Sequence, residues 1–407
     1  MIFSKKAFSY HVLSSGTPVL CYEMDRESSC VFVAVRAGAL TEHEGIYGIS
    51  HLLEHVVFEG TKNRSAGQIN AAIEQKGGEI NAATSQEYTL YYVKIQRKHL
   101  PTAITILGDV LSNPLLSKKS IEKERAIILS EIAMVLDQPR RYQWVLYEQA
   151  LFHGTKKAIP SYGVIDDVKK ITQEDITSYY QTYYTSQNMV IGLVGKGVAS
   201  LLPLVEKAFT LRKGPAALVP KKKPKSKHLV VEKRHIQQAY LLYGFSLPGL
   251  YHQNTLLYHL LYGIVGRPLS GWIYKELRLK RSLGYDAGAV LSIDPTYGQL
   301  CFYASCKQNA IAKVKSIFDA QCKQLQSVSE KEVAIAKTYL EGDAALSFES
   351  LKARAEALCL HYLATGSCDA LFSFEQDLAV LRAADVRKEA AQLSNPTFVV
   401  LTHQDDR

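Results

Sequence analysis

Two histidines and the glutamate between them are the residues of this 407-residue chain best suited to chemistry. His51, Glu54 and His55 form the pattern His-x-x-Glu-His. Residues four apart on a helix lie one turn apart on one face, so both imidazoles can reach a single ion. A catalytic zinc ion takes three protein ligands and leaves a fourth position for water. The pattern therefore predicts two histidine ligands, with Glu54 placed beside them to accept a proton from the water.

A third ligand has to come from another element, and a pair of glutamates offers one. Glu124 and Glu131 are seven residues apart in an amphipathic stretch, 117–137, so they share one helix face. Carboxylates that point inward need a partner, and a metal with its histidines is a natural one. The apolar residues expected to pack this helix are Ile127, Ile128, Ile132 and Val135. The alternative is a helix with two solvated histidines and an acid, although chance produces the pattern only about 0.02 times in such a chain.

Local patterns predict the elements that hold these residues. A strand leads through a glycine-containing loop to a helix that begins near Gly48. Ser65 and Gln68 form a capping box for a second helix. Segments 79–84 and 88–95 predict a hairpin. Strands and helices alternate without βαβ repeats, which favours an α+β fold.

The two halves of the chain resemble each other. A strand leads to a helix with the sequence His51-Leu-Leu-Glu-His in the first half and His259-Leu-Leu-Tyr-Gly in the second. This suggests duplication of a unit of about 200 residues. We predict two homologous α/β-sandwich domains, 1–211 and 229–407, each with a mixed, largely antiparallel sheet covered by helices. Because the second copy lacks the glutamate and second histidine, only the first should keep the chemistry.

Segment 212–228, between these domains, is rich in proline and lysine and is predicted to be an extended linker. Residues 212–234 contain nine cationic residues and one acid, so nearly all of the net charge of +9 is local. Such a run could also be a nuclear address or a polyanion-binding patch. A nucleic-acid-binding surface over the whole fold is not implied, and no nucleic-acid partner is expected.

Composition narrows the class of protein. With 47% hydrophobic and 21% charged residues, the chain has enough apolar material for more than one core. No run approaches about 18 apolar residues, so no membrane span is expected. The first residues lack the apolar region of a secretory signal, which makes a cytoplasmic location the expectation. The seven cysteines form no Cys-x-x-Cys pair, which favours free thiols over disulfides or a thiolate zinc site.

The sequence around the histidines, Tyr47-Gly-Ile-Ser-His-Leu-Leu-Glu-His-Val-Val-Phe-Glu-Gly-Thr, closely resembles the pitrilysin family of inverzincin zinc peptidases. That family includes insulin-degrading enzyme and mitochondrial processing peptidase, and this chain resembles its half-length bacterial members. The resemblance implies that Glu131, 76 residues after His55, is the third ligand of one Zn²⁺ per chain. It implies that Glu124 supports a ligand histidine. The implied activity is zinc-dependent endopeptidase action on peptides or unfolded polypeptides, with Glu54 as general base.

The resemblance also implies where substrate binds. Segment 77–82, Gly-Gly-Glu-Ile-Asn-Ala, is similar to the edge strand that pairs with a substrate backbone in the family. Arg278 and Tyr285, in a Glu-Leu-Arg…Gly-Tyr segment, are implied to bind the substrate carbonyl and steady the oxyanion. The alternative for these two is a surface salt bridge and a core position. The residues expected to touch substrate are Asn81, Ala82, Ala83, Thr84, Arg278 and Tyr285.

Family resemblance also bears on partners. The family builds a closed chamber from four such domains and this chain supplies two, so a homodimer is expected, with a heterodimer with a paralogue as the alternative. A non-catalytic subunit of a heteromeric peptidase complex is the main competing function. Retention of all four zinc-site residues disfavours it. A two-histidine, one-carboxylate iron oxygenase is a second competitor, but the spacing is helical and Glu54 would have no function there.

Overall fold

The computed structural model describes residues 2–217, 223–250 and 252–404. Two compact units account for the chain. The first unit consists of Met1–Ala133, Ile159–Pro220 and Leu346–Phe372, and the second of Met134–Ala158, Lys221–Ala345 and Ser373–Arg407. No helix in the described ranges is long and apolar enough to cross a bilayer.

The strands form two separate sheets. The strands of the first sheet are β1 (Phe8–Val12), β2 (Pro18–Glu23), β3 (Ser28–Val35), β4 (Glu79–Thr84), β5 (Thr89–Gln96) and β6 (Met189–Gly195). Those of the second are β7 (Leu229–Arg234), β8 (Ala239–Pro248), β9 (Gly284–Ile293), β10 (Tyr297–Cys306) and β11 (Thr397–His403).

The helices lie between these strands. They are α1 (Ile49–Val56), α2 (Ala66–Glu74), α3 (Leu100–Ser112), α4 (Lys118–Asp137), α5 (Pro139–Leu151), α6 (Ile165–Val168), α7 (Gln173–Tyr183), α8 (Leu202–Ala208), α9 (Thr255–Val265), α10 (Trp272–Tyr274), α11 (Ile311–Leu325), α12 (Glu330–Ser347), α13 (Leu351–Thr365), α14 (Asp369–Val380) and α15 (Ala383–Ala390). The capping box at Ser65, the hairpin and the long helix near 117–137 are confirmed.

The first sheet has the strand order β1-β2-β6-β3-β5-β4. Only β2 and β6 are parallel neighbours, and the other pairs are antiparallel. From its second residue onward β3 is buried along its length, so helices must cover both faces of the sheet. Helix α13 packs on β3 and β6, with Leu358, Cys359, Phe32 and Val190 in one core cluster, and α3 packs on β3 and β5. Strand β4, which precedes β5 in the hairpin, lies at one edge.

The second sheet has the order β7-β11-β8-β10-β9 and repeats five strands of the first. Its parallel pair, β7 with β11, corresponds to β2 with β6. Helix α5 packs on β11 and β8, while α9 and α11 add an aromatic and aliphatic core around Tyr243, Phe302 and Phe318. The predicted α+β fold with two similar sandwich units is confirmed.

Each unit includes a helix from the other half of the sequence. Helix α5 belongs to the second unit and α13 to the first, so the units differ from the contiguous ranges 1–211 and 229–407. Hydrophobic periodicity shows that a helix has an apolar face, but it does not show which sheet that face covers.

The predicted linker is in part held against a helix. Residues 218–222 of the linker lie outside the described residues, while the amides of Lys225 and Lys227 bond to the carbonyls of His153 and Ala150. This stretch is therefore fixed against the end of α5.

The placement of Ile127 in the core was wrong: its side chain is 39% exposed, because it lies about 100° around α4 from buried Ile128.

Candidate metal centre

Helix α1 carries the His-x-x-Glu-His pattern, as predicted from the sequence. Its apolar residues Ile49, Leu52, Leu53 and Val56 are at most 1% exposed. Each buried aliphatic side chain contributes about 1.5–3 kcal/mol to folding, which anchors the helix. His51 and His55 lie on the less buried side, one turn apart.

The start of α1 is fixed by a glycine and a buried acid. Gly48 has a φ of 105°, and a Cβ added there would lie 2.7 Å from Cγ2 of Val168. The Glu42 carboxylate, which is fully buried, accepts hydrogen bonds from the amides of Gly48 (2.7 Å) and Ser50 (2.9 Å). A carboxylate at a helix N-terminus satisfies free amides and complements the helix dipole. The direction of the helix, and so of its histidines, is set at this end.

Three potential ligands meet at one point of the first unit. Donor atoms of His51, His55 and Glu131 all lie within 4.8 Å of one another. Nε2 of His51 is 3.9 Å from Oε2 of Glu131. A tetrahedral zinc ion with bonds of about 2.1 Å separates its donor atoms by about 3.4 Å, so small side-chain movements would close the set. Two imidazoles and one carboxylate are a donor set that catalytic zinc sites use, with a fourth position left for water.

Burial sets the protonation of the first histidine. Removal from water, together with the neighbouring His55, lowers the pKa of His51 to about 4. At neutral pH the ring is therefore uncharged and has a lone pair available for a metal. Among the described residues, none bonds to the buried Nδ1 of His51.

The second histidine is oriented by Glu124. Nδ1 of His55 lies 2.9 Å from Oε2 of this carboxylate, whose side chain is only 7% exposed. A hydrogen bond at Nδ1 leaves Nε2 free for a metal and makes the ring a better donor. Lys123 adds a further contact, with Nζ 3.3 Å from Glu124 and 2.7 Å from Glu59. Glu124 therefore lies where a supporting acid is expected.

Glu54 projects from α1 beside these donors and is only 8% exposed. Burial raises the pKa of its carboxyl, while a hydrogen bond from Thr84 opposes that rise. Oγ1 of Thr84 donates to Oε2 of Glu54 over 2.5 Å. A partly desolvated carboxylate with one fixed donor is suited to proton transfer.

The predicted substrate strand, β4, is an edge strand of the first sheet, with alternating exposed and half-buried residues. Asn81 and Ala83 are exposed, whereas Ala82 and Thr84 are half-buried. Oδ1 of Asn81 accepts a hydrogen bond from the Ala82 amide (2.8 Å). Thr84 ends the strand at Glu54, so the strand leads directly to the donor cluster.

Arg278 and Tyr285 belong to the second unit. Arg278 lies in a π-helical turn, Lys275–Leu279, with its guanidinium 5.4 Å above the ring of Tyr274. Tyr285 is the second residue of β9, and its side chain lies outside the described residues. Their proposed substrate contacts stay predictions.

Sequence reasoning did not identify three features of the site. Glu42 as the cap of α1, Lys123 beside Glu124 and the hydrogen bond of Thr84 to Glu54 are visible only in the structure. A capping role for Glu42 has no local signal, because the acid lies six residues before Gly48. The position of Lys123 next to Glu124 in the sequence was the one available hint.

Comparison with known proteins agrees with this architecture. The insulinase family (peptidase family M16) matches residues 19–161, and the family described as the peptidase M16 inactive domain matches residues 170–340. An uncharacterized zinc protease of Mycobacterium leprae is 30% identical over 79% of this chain and 74% of its own length. The uncharacterized zinc protease YmxG of Bacillus subtilis is 26% identical over 92% of both chains.

A solved structure shares the fold over nearly the whole length. The crystal structure of a protease from Helicobacter pylori superposes with a TM-score of 0.89, covering 97% of this chain and 99% of that one at 22% identity. With the matched ranges and the relatives named zinc proteases, these similarities establish that the chain belongs to peptidase family M16, the insulinase family.

Proposed function

We propose that this chain is a zinc-dependent metalloendopeptidase that hydrolyses peptides or unfolded polypeptides. The observation that carries the proposal is the meeting of His51, His55 and Glu131 donors within 4.8 Å, with Glu54 beside them. One Zn²⁺ per chain follows from this donor set, since the second half has tyrosine and glycine where the first has Glu54 and His55.

The residues divide the chemistry among them. A zinc ion held by His51, His55 and Glu131 would lower the pKa of a water molecule and polarise the scissile carbonyl. Glu54 accepts the proton of the attacking water and returns it to the leaving amine. The hydrogen bond that Thr84 donates orients the Glu54 carboxylate. Glu124 does the same for His55.

Substrate would lie along the edge strand. An extended peptide paired with β4 uses main-chain hydrogen bonds, which tolerate many sequences, and reaches Glu54 at Thr84. Asn81, Ala82, Ala83 and Thr84 would make these contacts. This mode favours short or unfolded chains, because a folded substrate has no free strand to offer.

We also propose a homodimer in which Arg278 and Tyr285 of one copy serve the metal centre of the other, with a heterodimer with a paralogue as the alternative. Light scattering of the purified protein, combined with activity across the sizing profile, tests this arrangement. Activity that elutes only with the dimer is the expected result. A fully active monomer would overturn it.

The test of the activity itself is hydrolysis of quenched-fluorescent peptides by the zinc-loaded, the metal-depleted and the zinc-restored protein. His51→Gln should lose both zinc and hydrolysis. His259→Gln, the corresponding change in the second half, should keep both. Hydrolysis that survives metal removal would exclude the proposal. Zinc-loaded wild type that cleaves no peptide would instead favour a non-catalytic subunit.

A further inference from the structure

The two sheets of the chain differ at one edge. In the first unit, β1 runs antiparallel to β2 and covers the outside of that strand. In the second unit β7 takes the place of β2, and within the described ranges no strand pairs with its outer side. The duplicated sheet therefore ends one strand early.

Main-chain groups at this edge point outward. The carbonyl of His228 accepts a hydrogen bond from the amide of Phe398, in β11, and the carbonyl of Arg234 accepts one from Gln404, which directly follows β11. His228 and Arg234 therefore direct their carbonyls toward β11. Because alternate residues of a strand direct their N–H and C=O groups to opposite sides, the N–H and C=O groups of Leu229 and Val231 point away from β11, at the open edge of the sheet. A further strand would find donors and acceptors there.

Alternate side chains of β7 point to opposite faces, with Leu229, Val231 and Lys233 on one face and Glu232 and Arg234 on the other. Leu229 and Val231 are 61% and 54% exposed. On the opposite face the Arg234 guanidinium stacks 3.5 Å from the ring centre of Tyr142, whose hydroxyl donates to Glu232. One face of β7 is thus held by contacts with Tyr142, and the side chains of Leu229 and Val231 stay accessible on the other face.

The charges next to β7 indicate which kind of partner would bind at this edge. Lys223, Lys225 and Lys227 directly precede the strand and are exposed. The one acid of the strand, Glu232, is paired with Arg234 at 2.9 Å. Two copies of this edge pairing with each other would bring like charges together, which disfavours self-association. An acidic chain would gain from the same charges.

We propose that the outer edge of β7 binds an extended acidic peptide segment by strand addition. Main-chain bonds form to Leu229 and Val231, apolar residues of the segment lie over their side chains, and carboxylates face Lys225 and Lys227. This site lies in the second unit and is independent of the proposed peptidase activity.

The test measures fluorescence anisotropy of a labelled 12-residue probe that alternates glutamate with valine or threonine. The full chain carries Glu54→Gln so that the probe is not cleaved. Val231→Pro removes the outward N–H at an edge position that tolerates proline, and Val231→Thr is the control that keeps it. Because β4 is also proposed to pair with extended peptides, the readout is the part of the probe binding that depends on β7. We expect the probe to bind, Val231→Pro to remove a component of that binding and Val231→Thr to retain it.

Charge and main-chain pairing are tested separately. Reversing Lys225 and Lys227 to glutamate should weaken binding about tenfold, and the same probe N-methylated at alternate amides should not bind. A circular dichroism spectrum checks that each variant is folded. Absence of binding by the acidic probe, or equal binding by folded Val231→Pro, would overturn the proposal. So would self-association that Val231→Pro abolishes, since it would assign the edge to a second copy.

Discussion

Replacing Glu124 by glutamine tests whether this acid acts through His55. The glutamine oxygen can still accept from Nδ1, which lies 2.9 Å from the carboxylate, but the charge is lost. A hydrogen bond to a charged group contributes about 1.5–3 kcal/mol and a neutral one about 0.5–1.5 kcal/mol. The loss is therefore about 1–1.5 kcal/mol. Since 1.4 kcal/mol is about tenfold, the dissociation constant for zinc should rise about tenfold.

Competition with a chromophoric chelator measures that constant directly. Glu122→Gln is the matched control: it makes the same change on the same helix, at a side chain that is 56% exposed and paired with Arg125. Such a surface pair contributes little, so zinc affinity should stay within about twofold of wild type. Unchanged affinity in Glu124→Gln, or an equal loss in Glu122→Gln, would refute the assigned role of Glu124.

Three further substitutions probe the support of the site. Thr84→Val should lower kcat/KM about tenfold or more at constant zinc affinity, because Glu54 loses a charge-assisted hydrogen bond. Thr84→Ser keeps the hydroxyl and should keep activity. An unaffected Thr84→Val enzyme would contradict this role of Thr84. Glu42→Ala should reduce stability by about 1–3 kcal/mol, read as a lower urea midpoint, because two amides lose their acceptor. Gly48→Ala should cost more stability than Gly45→Ala: both have positive φ, but only at Gly48 does a Cβ meet other atoms. Equal thermal midpoints of these two variants would argue against the close contact.

Much of the fold followed from local patterns. The bounds of β4 match the predicted strand, and the capping box at Ser65 begins α2 as expected, because hydrophobic period and capping are encoded within a few residues. The exchange of α5 and α13 between the units was not accessible, since it depends on contacts far apart in sequence.

The metal centre likewise has features that local sequence predicts and features that depend on tertiary contacts. His51, Glu54 and His55 share one helix, so their spacing alone predicts their geometry. Glu131 required a second helix and was chosen from family resemblance. The hydrogen bond from Thr84 and the cap from Glu42 depend on tertiary approach, for which the sequence has no periodic signal. Ile127 was wrongly assigned to the buried face of α4, because composition alone does not fix the orientation of a helix.

Glu54 is proposed to act as the base at a zinc centre. The most direct test compares peptide hydrolysis by wild type, Glu54→Gln and the exposed control Glu74→Gln, with zinc content measured in each preparation. We expect all three to hold one zinc ion per chain, with hydrolysis nearly abolished in Glu54→Gln and unchanged in Glu74→Gln. Equal turnover by zinc-loaded Glu54→Gln and wild type would contradict the claim.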